Sequence, residues 1–292
     1  MATENEESRQ PEAAGQSLYG DYISNPLMSD TASDWSPLHD AAIHGRLRPL
    51  QQLISQGCSA NLLTMNRVSP LHEACLSGHI ACAKYLLENG AMVNIATIDW
   101  NTPLYNACCS GSEACVKLLL QHGAKPQGEC LLASPIHEAA KRGHTKCLTI
   151  LLNHGVPIDH NVKHLGTPLY VACENRQLDC VRNLLSSGAK VNMSNALESP
   201  LHVASKNSDT QLVNLLLEHG ADTDARNAEG KRPVQLALPN SSSEELLLQW
   251  KGPPSLKQLC RLSIWKCLGH SRLIAVSKLP IPQQLKDFLC YR

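Results

Sequence analysis

The sequence predicts an all-α solenoid of stacked helix pairs, followed by a small separate helical module. Three observations predict it: a short motif recurs along the chain, glycines recur with the same period, and aromatic residues make up only 4% of the composition. The motif reads Ser36-Pro-Leu-His-Asp-Ala-Ala, Ser69-Pro-Leu-His-Glu-Ala-Cys, Thr102-Pro-Leu-Tyr-Asn-Ala-Cys, Ser134-Pro-Ile-His-Glu-Ala-Ala, Thr167-Pro-Leu-Tyr-Val-Ala-Cys and Ser199-Pro-Leu-His-Val-Ala-Ser. A degenerate seventh copy, Arg232-Pro-Val-Gln-Leu-Ala, follows the six clear ones, and the prolines at 37, 70, 103, 135, 168, 200 and 233 are spaced by 32 or 33 throughout.

Each motif opens a helix. The Ser or Thr hydroxyl can cap backbone N–H groups, and proline at the first helical position lacks the donor that would be orphaned there. A second helix follows, such as Ile80-Ala-Cys-Ala-Lys-Tyr-Leu-Leu-Glu, and stops at a glycine suited to a left-handed cap: Gly57, Gly90, Gly123, Gly155, Gly188 or Gly220. One such unit cannot bury its apolar stripe alone, so neighbours stack around a continuous Leu/Ala/Cys core. The single phenylalanine suits close stacking of small side chains. Two helices and a loop every 33 residues, with the Thr-Pro-Leu-His-x-Ala pattern, resemble the ankyrin repeat. The resemblance covers about residues 35 to 250, and a domain boundary is drawn at 35–252. It implies an extended face and a row of loop tips that bind other proteins.

Bulk properties narrow the function further. Lys plus Arg equals Asp plus Glu at 26 each, which leaves no overall field toward nucleic acid or an anionic membrane. The start Met-Ala-Thr-Glu-Asn-Glu-Glu lacks the features of a signal peptide, and no apolar run reaches the roughly 18 residues of a membrane span. A soluble, cytoplasmic protein is expected. With no C-x-x-C pair, the thirteen cysteines read as reduced thiols. Cys75, Cys108 and Cys173 share one repeat phase, and Cys82, Cys115, Cys147 and Cys180 share another, which marks them as packing residues. His39, His72, His137 and His202 all stand fourth in the motif, where structural bonding between loops explains them better than metal binding or catalysis. No phosphate loop, nucleophile elbow or zinc-protease motif is present, so the reading is of no enzyme, no metal and no cofactor.

Residues that the repeat does not demand are the candidates for recognition. Arg67, Trp100, Asn101, Lys163, His164 and Glu198 lie just before successive motifs, where loops should project, and Trp35 holds a comparable place at the first repeat. Exposed Trp and Arg are favoured interface anchors; the competing reading is that Trp35 and Trp100 cover loop bases. Residues 1–34 form an N-terminal tail: 1–17 are polar and acidic, whereas 18–34 carry Tyr19, Tyr22, Ile23, Leu27 and Met28. This arm either caps the first repeat or grips a partner, and Tyr22, Ile23, Asn25 and Asp34 are its candidate substrate-binding residues.

After the seventh copy, Gly252-Pro-Pro breaks the chain and a module begins at 253–292. Ser255 caps a segment in which Leu256, Leu259, Cys260 and Ile264 share one helical face. Forty residues interrupted by Pro280 and Pro282 cannot build a large core, so this face either fills a partner's groove or seals the solenoid's end. Leu256, Cys260 and Ile264 resemble the elongin-binding element of the SOCS box, and Leu279-Pro280-Ile281-Pro282 resembles its cullin-5-selecting element. Together with the repeats they are similar to the ankyrin repeat and SOCS box family. That resemblance implies a substrate receptor of a ubiquitin ligase, with elongin B, elongin C, cullin-5 and its RING partner as associates and a protein substrate on the repeats. Ser24-Asn-Pro-Leu-Met followed by Asp34-Trp-Ser-Pro resembles a member that binds creatine kinase, which implies such a target. The alternative is a scaffold or inhibitor that binds an enzyme without promoting its degradation.

Overall fold

The computed structural model describes residues 35–127, 134–250, 259–260, 263–264 and 280–290. Every motif proline begins a helix: α1 (Pro37–Ile43), α3 (Pro70–Leu76), α5 (Pro103–Ser110), α7 (Pro135–Arg142), α9 (Pro168–Glu174), α11 (Pro200–Lys206) and α13 (Pro233–Leu236). Each is followed by its partner: α2 (Leu47–Ser55), α4 (Ile80–Glu88), α6 (Glu113–Gln121), α8 (Thr145–Asn153), α10 (Leu178–Ser186), α12 (Thr210–Glu218) and α14 (Ser242–Gln249). A last helix, α15, spans Gln283–Cys290. Odd-numbered helices up to α13 pack on one another in one row and even-numbered helices to α14 in a second, which is the all-α solenoid that the sequence predicts. Among the described residues, β pairing is limited to isolated bridges at Val162–Gly166 and Asn195–Glu198.

The caps follow the sequence reading with one correction. The hydroxyls of Ser69, Thr102, Thr167 and Ser199 accept from the backbone N–H of His72, Tyr105, Tyr170 and His202, bonds worth about 1 kcal/mol each. Ser36 and Ser134 make no such cap, and their hydroxyls pair instead with the Nδ1 atoms of His39 and His137, at 2.8 Å each. The glycines expected to end the second helices all take left-handed φ, between 83° and 95°. In the seventh copy Leu238 precedes Pro239, which ends α13 after four residues, and Gln235 Oε1 accepts from Arg232 N at 2.8 Å, the bond that the Nδ1 atoms of His72 and His202 accept in their motifs.

The core is built from the motif. Leu38, Leu71, Leu104, Ile136, Leu169 and Leu201 are at most 1% exposed, each contributing about 1.5–3 kcal/mol by burial. The cysteines of both repeat phases are buried among them, and no disulfide joins the described cysteines.

Polar side chains then tie each repeat to the next. Nε2 of His39, His72, His137 and His202 bonds the carbonyl of Val68, Asn101, Gly166 and Lys231, at 3.0–3.1 Å. At His72 and His202 the Nδ1 atom accepts from the backbone N–H of Ser69 and Ser199, so Nε2 carries the proton and donates across the repeat. Burial first of all, with a neighbouring histidine, lowers the pKa of His72 and of His137 to about 4, keeping both rings neutral. At the opposite end of the repeat Asn94 donates to Gly123 O at 3.1 Å and accepts from Lys125 N at 2.9 Å, and Asn61 and Asn192 repeat the arrangement.

Candidate protein-binding site

Between each helix pair and the next motif the chain turns back on itself in a short finger. In three fingers the turn has one geometry. Thr64 N donates to Val68 O, Thr97 N to Asn101 O and Asn227 N to Lys231 O, each at 3.0 Å. Three residues after the finger's first, the N–H of Arg67, Trp100 and Gly230 returns to the carbonyl of Thr64, Thr97 and Asn227, at 2.8–3.0 Å. That fourth position is left-handed, with φ of 59° at Arg67, 64° at Trp100 and 74° at Gly230.

Gly230 adopts this conformation without strain, whereas a side chain there costs about 1–2 kcal/mol. Arg67 and Trp100 therefore occupy strained seats that glycine would fill more comfortably. Arg67 is exposed, Trp100 is 49% exposed, and the first two fingers are joined by Ile98 N donating to Asn66 O at 3.1 Å. The shared turn sets that φ in all three fingers, and at Arg67 and Trp100 it holds a large side chain out toward solvent.

The other predicted loop residues divide. Trp35 is 39% exposed and its ring lies 5.2 Å from that of His39, so it both covers the first motif histidine and presents a face outward. Lys163 and His164 are exposed in the fourth finger. Asn101 is half-buried, and its backbone serves the fold: its carbonyl takes the His72 Nε2 bond and its N–H donates to the Thr97 hydroxyl oxygen. Glu198 accepts from Tyr170 Oη at 3.0 Å. Tyr22, Ile23, Asn25 and Asp34 lie outside the described residues, as do Leu256 and Leu279. Sequence reasoning missed an apolar set on the same fingers: Met65, 85% exposed, with Ile98, Leu165 and Leu197. The signal available was that these apolar residues break the repeat's phase.

In the C-terminal module Leu259 and Cys260 lie in helical backbone and are exposed, while Ile264 is half-buried. Pro280 and Ile281 form a bend, and Pro282 O receives the N–H groups of Leu285 and Lys286 at 3.0 and 3.1 Å, starting α15. Among the described residues no group of three or more His, Cys, Asp or Glu could hold a metal ion, and no helix is long and apolar enough to cross a membrane.

Helix-pair stacking, motif histidines bonded across repeats and projecting fingers define an ankyrin-repeat recognition protein. The family pattern described as "Ankyrin repeats (3 copies)" matches residues 38–130 and 129–195, and "Ankyrin repeats (many copies)" matches 191–237. "SOCS box" matches residues 252–290. Ankyrin repeat and SOCS box protein 9 of Homo sapiens is 61% identical over 269 residues, covering 92% of each chain. Ankyrin repeat and SOCS box protein 11 of Bos taurus is 65% identical over 265 residues, 91% of this chain and 82% of that protein. The crystal structure of the human ASB11 ankyrin repeat domain superposes with a TM-score of 0.73 at 57% identity, covering 76% of this chain and 100% of that one. The chain belongs to the ankyrin repeat and SOCS box family. Repeats joined to a SOCS box fit a substrate-recognition adaptor.

Proposed function

We propose that the chain is the substrate receptor of a ubiquitin ligase in which its SOCS box recruits elongin B, elongin C and cullin-5 with a RING partner. The fingers hold the target. The observation that carries this reading is the pairing of strained, outward Arg67 and Trp100 on the repeats with a separate SOCS box whose Leu259 and Cys260 stand exposed. Ubiquitin chemistry then belongs to other subunits, and this chain contributes proximity by raising the target's effective concentration at them. A cytoplasmic location suits such an assembly. By the likeness of its N-terminal segment, a creatine kinase is the first target to test, with Tyr22, Ile23, Asn25 and Asp34 of the arm gripping it beside Trp35, Arg67, Trp100, Asn101 and His164.

On the adapter side, Leu256, Leu259, Cys260 and Ile264 face elongin, and Leu279, Pro280, Ile281 and Pro282 select cullin-5. Loss of a buried leucine contact costs about 2–5 kcal/mol, which weakens binding more than tenfold. Pull-down with the Leu256→Ala, Cys260→Phe double variant is expected to lose elongins B and C. Full elongin recovery by that variant rejects the assignment. A non-degradative scaffold would bind the same target, yet depletion of cullin-5 would leave that target's abundance and ubiquitination unchanged.

A further inference from the structure

Two glutamates occupy the same place in the repeat, and the fold treats them differently. Glu138, fifth in the motif on α7, is 7% exposed and fully partnered. It is ion-paired with Arg142 one turn later on the same helix, and it accepts from the Tyr105 hydroxyl of the preceding repeat at 3.2 Å. Burial acts to raise its pKa, but the guanidinium and the phenol outweigh burial and hold the carboxylate ionised.

Glu73 holds the equivalent position on α3 and is 6% exposed. Neither partner is supplied to it. Ser77 stands where Arg142 does, four residues on, and is exposed. His39 stands where Tyr105 does, and its two ring nitrogens are engaged by Ser36 Oγ at 2.8 Å and Val68 O at 3.0 Å. Arg46 of the first repeat is spent on Asp40, 3.0 Å from its carboxylate, and no ion pair among the described residues joins Glu73 to Arg48 or Arg67. In the following repeat Asn106 spends its amide on the carbonyl of His72, at 3.2 Å. No hydrogen bond within the chain reaches its carboxyl, whose oxygens keep a narrow opening to solvent while the rest of the side chain is buried. Burial alone pushes its pKa up.

We propose that Glu73 is a seat for a guanidinium brought by the bound protein, which completes between two molecules the ion pair that Glu138 and Arg142 complete within one. The chain itself displays the occupant that this position accepts. Arginine fits better than lysine because its planar fork can meet both carboxylate oxygens. The target therefore presents an arginine to the second repeat, beside the Arg67 and Trp100 fingers. This deepens the receptor reading and rests on it for the identity of the occupant as part of a substrate.

The test needs neither target nor adapters, so its failure leaves the receptor reading standing, and failure of the receptor assays leaves the seat to be judged here. The full-length chain, labelled with ¹³C at glutamate carboxyl carbons, is titrated with N-acetyl-arginine methylamide and followed by NMR. The expected result is a saturable shift of the Glu73 resonance, absent with the citrulline analogue, which has arginine's shape without its charge. Glu73→Gln should weaken arginine binding by about tenfold or more. Ser77→Arg supplies the missing internal partner and should both raise the melting temperature and abolish the response. Equal responses to arginine and citrulline, or a response that survives Glu73→Gln or Ser77→Arg, overturns the proposal.

Discussion

Replacing Arg67 separates recognition from stability, because the two respond with opposite sign. Its φ of 59° is left-handed, its side chain is exposed, and no ion pair holds it among the described residues. Arg67→Ala leaves the backbone strained and removes only solvated atoms, so stability should change by less than about 0.5 kcal/mol. Arg67→Gly relieves about 1–2 kcal/mol of left-handed strain, offset by up to about 1 kcal/mol of extra freedom in the unfolded chain. The net expectation is a gain near 0.5–1 kcal/mol, or about 1–4 °C in melting temperature for a chain of this size. Both variants should weaken target binding alike, since both delete the guanidinium. Thermal and urea denaturation of wild type, Arg67→Ala and Arg67→Gly measure the first part, and titration calorimetry with a creatine kinase measures the second. An Arg67→Gly protein no more stable than Arg67→Ala would refute the strain argument, and undiminished binding by both would remove Arg67 from the recognition surface.

Other perturbations have equally definite outcomes. Leu104→Ala empties a site 1% exposed between α5 and its neighbours, and chemical denaturation should register a loss of about 2–5 kcal/mol. His72 and His137 have folded pKa values near 4, below the 6.5 of an unperturbed ring, so the unfolded chain binds protons first. Their stabilising effect is complete above pH 6.5 and declines as the pH falls toward 4; urea midpoints measured across that window should drop, and less so in a His72→Asn, His137→Asn variant than in wild type. Changing Pro280 and Pro282 to Ala should spare elongin B and C in pull-downs while losing cullin-5; retained cullin-5 contradicts the role given to that segment.

Much of the fold was legible because its punctuation is local. Proline after Ser or Thr and glycine at the helix end report backbone preferences that neighbouring repeats do not override, so α1 to α12 follow directly from them. The cysteines and motif histidines were legible by phase, and the structure buries the cysteines and bonds the histidines as that phase implied. What was not legible depends on geometry that residue type hides. Arg67 and Trp100 stood out as loop residues, yet nothing in an Arg or a Trp announces a left-handed φ; only alignment of their fingers with that of Gly230 reveals it. The loss of the helix caps at Ser36 and Ser134 is likewise invisible in a motif that otherwise matches. The unequal fates of Glu73 and Glu138 were half visible: Ser77 against Arg142 can be read four residues on, but the Tyr105 hydroxyl arrives from another repeat.

The proposed receptor joins a target to a cullin-5 ligase through two separable parts. Affinity purification with quantitative mass spectrometry, comparing the intact chain with one lacking residues 253–292, tests it most directly. The intact chain is expected to recover elongin B, elongin C, cullin-5 and its target, and the truncated chain to keep the target and lose the other three. Recovery of the elongins by the truncated chain, or their absence from the intact one, would contradict it.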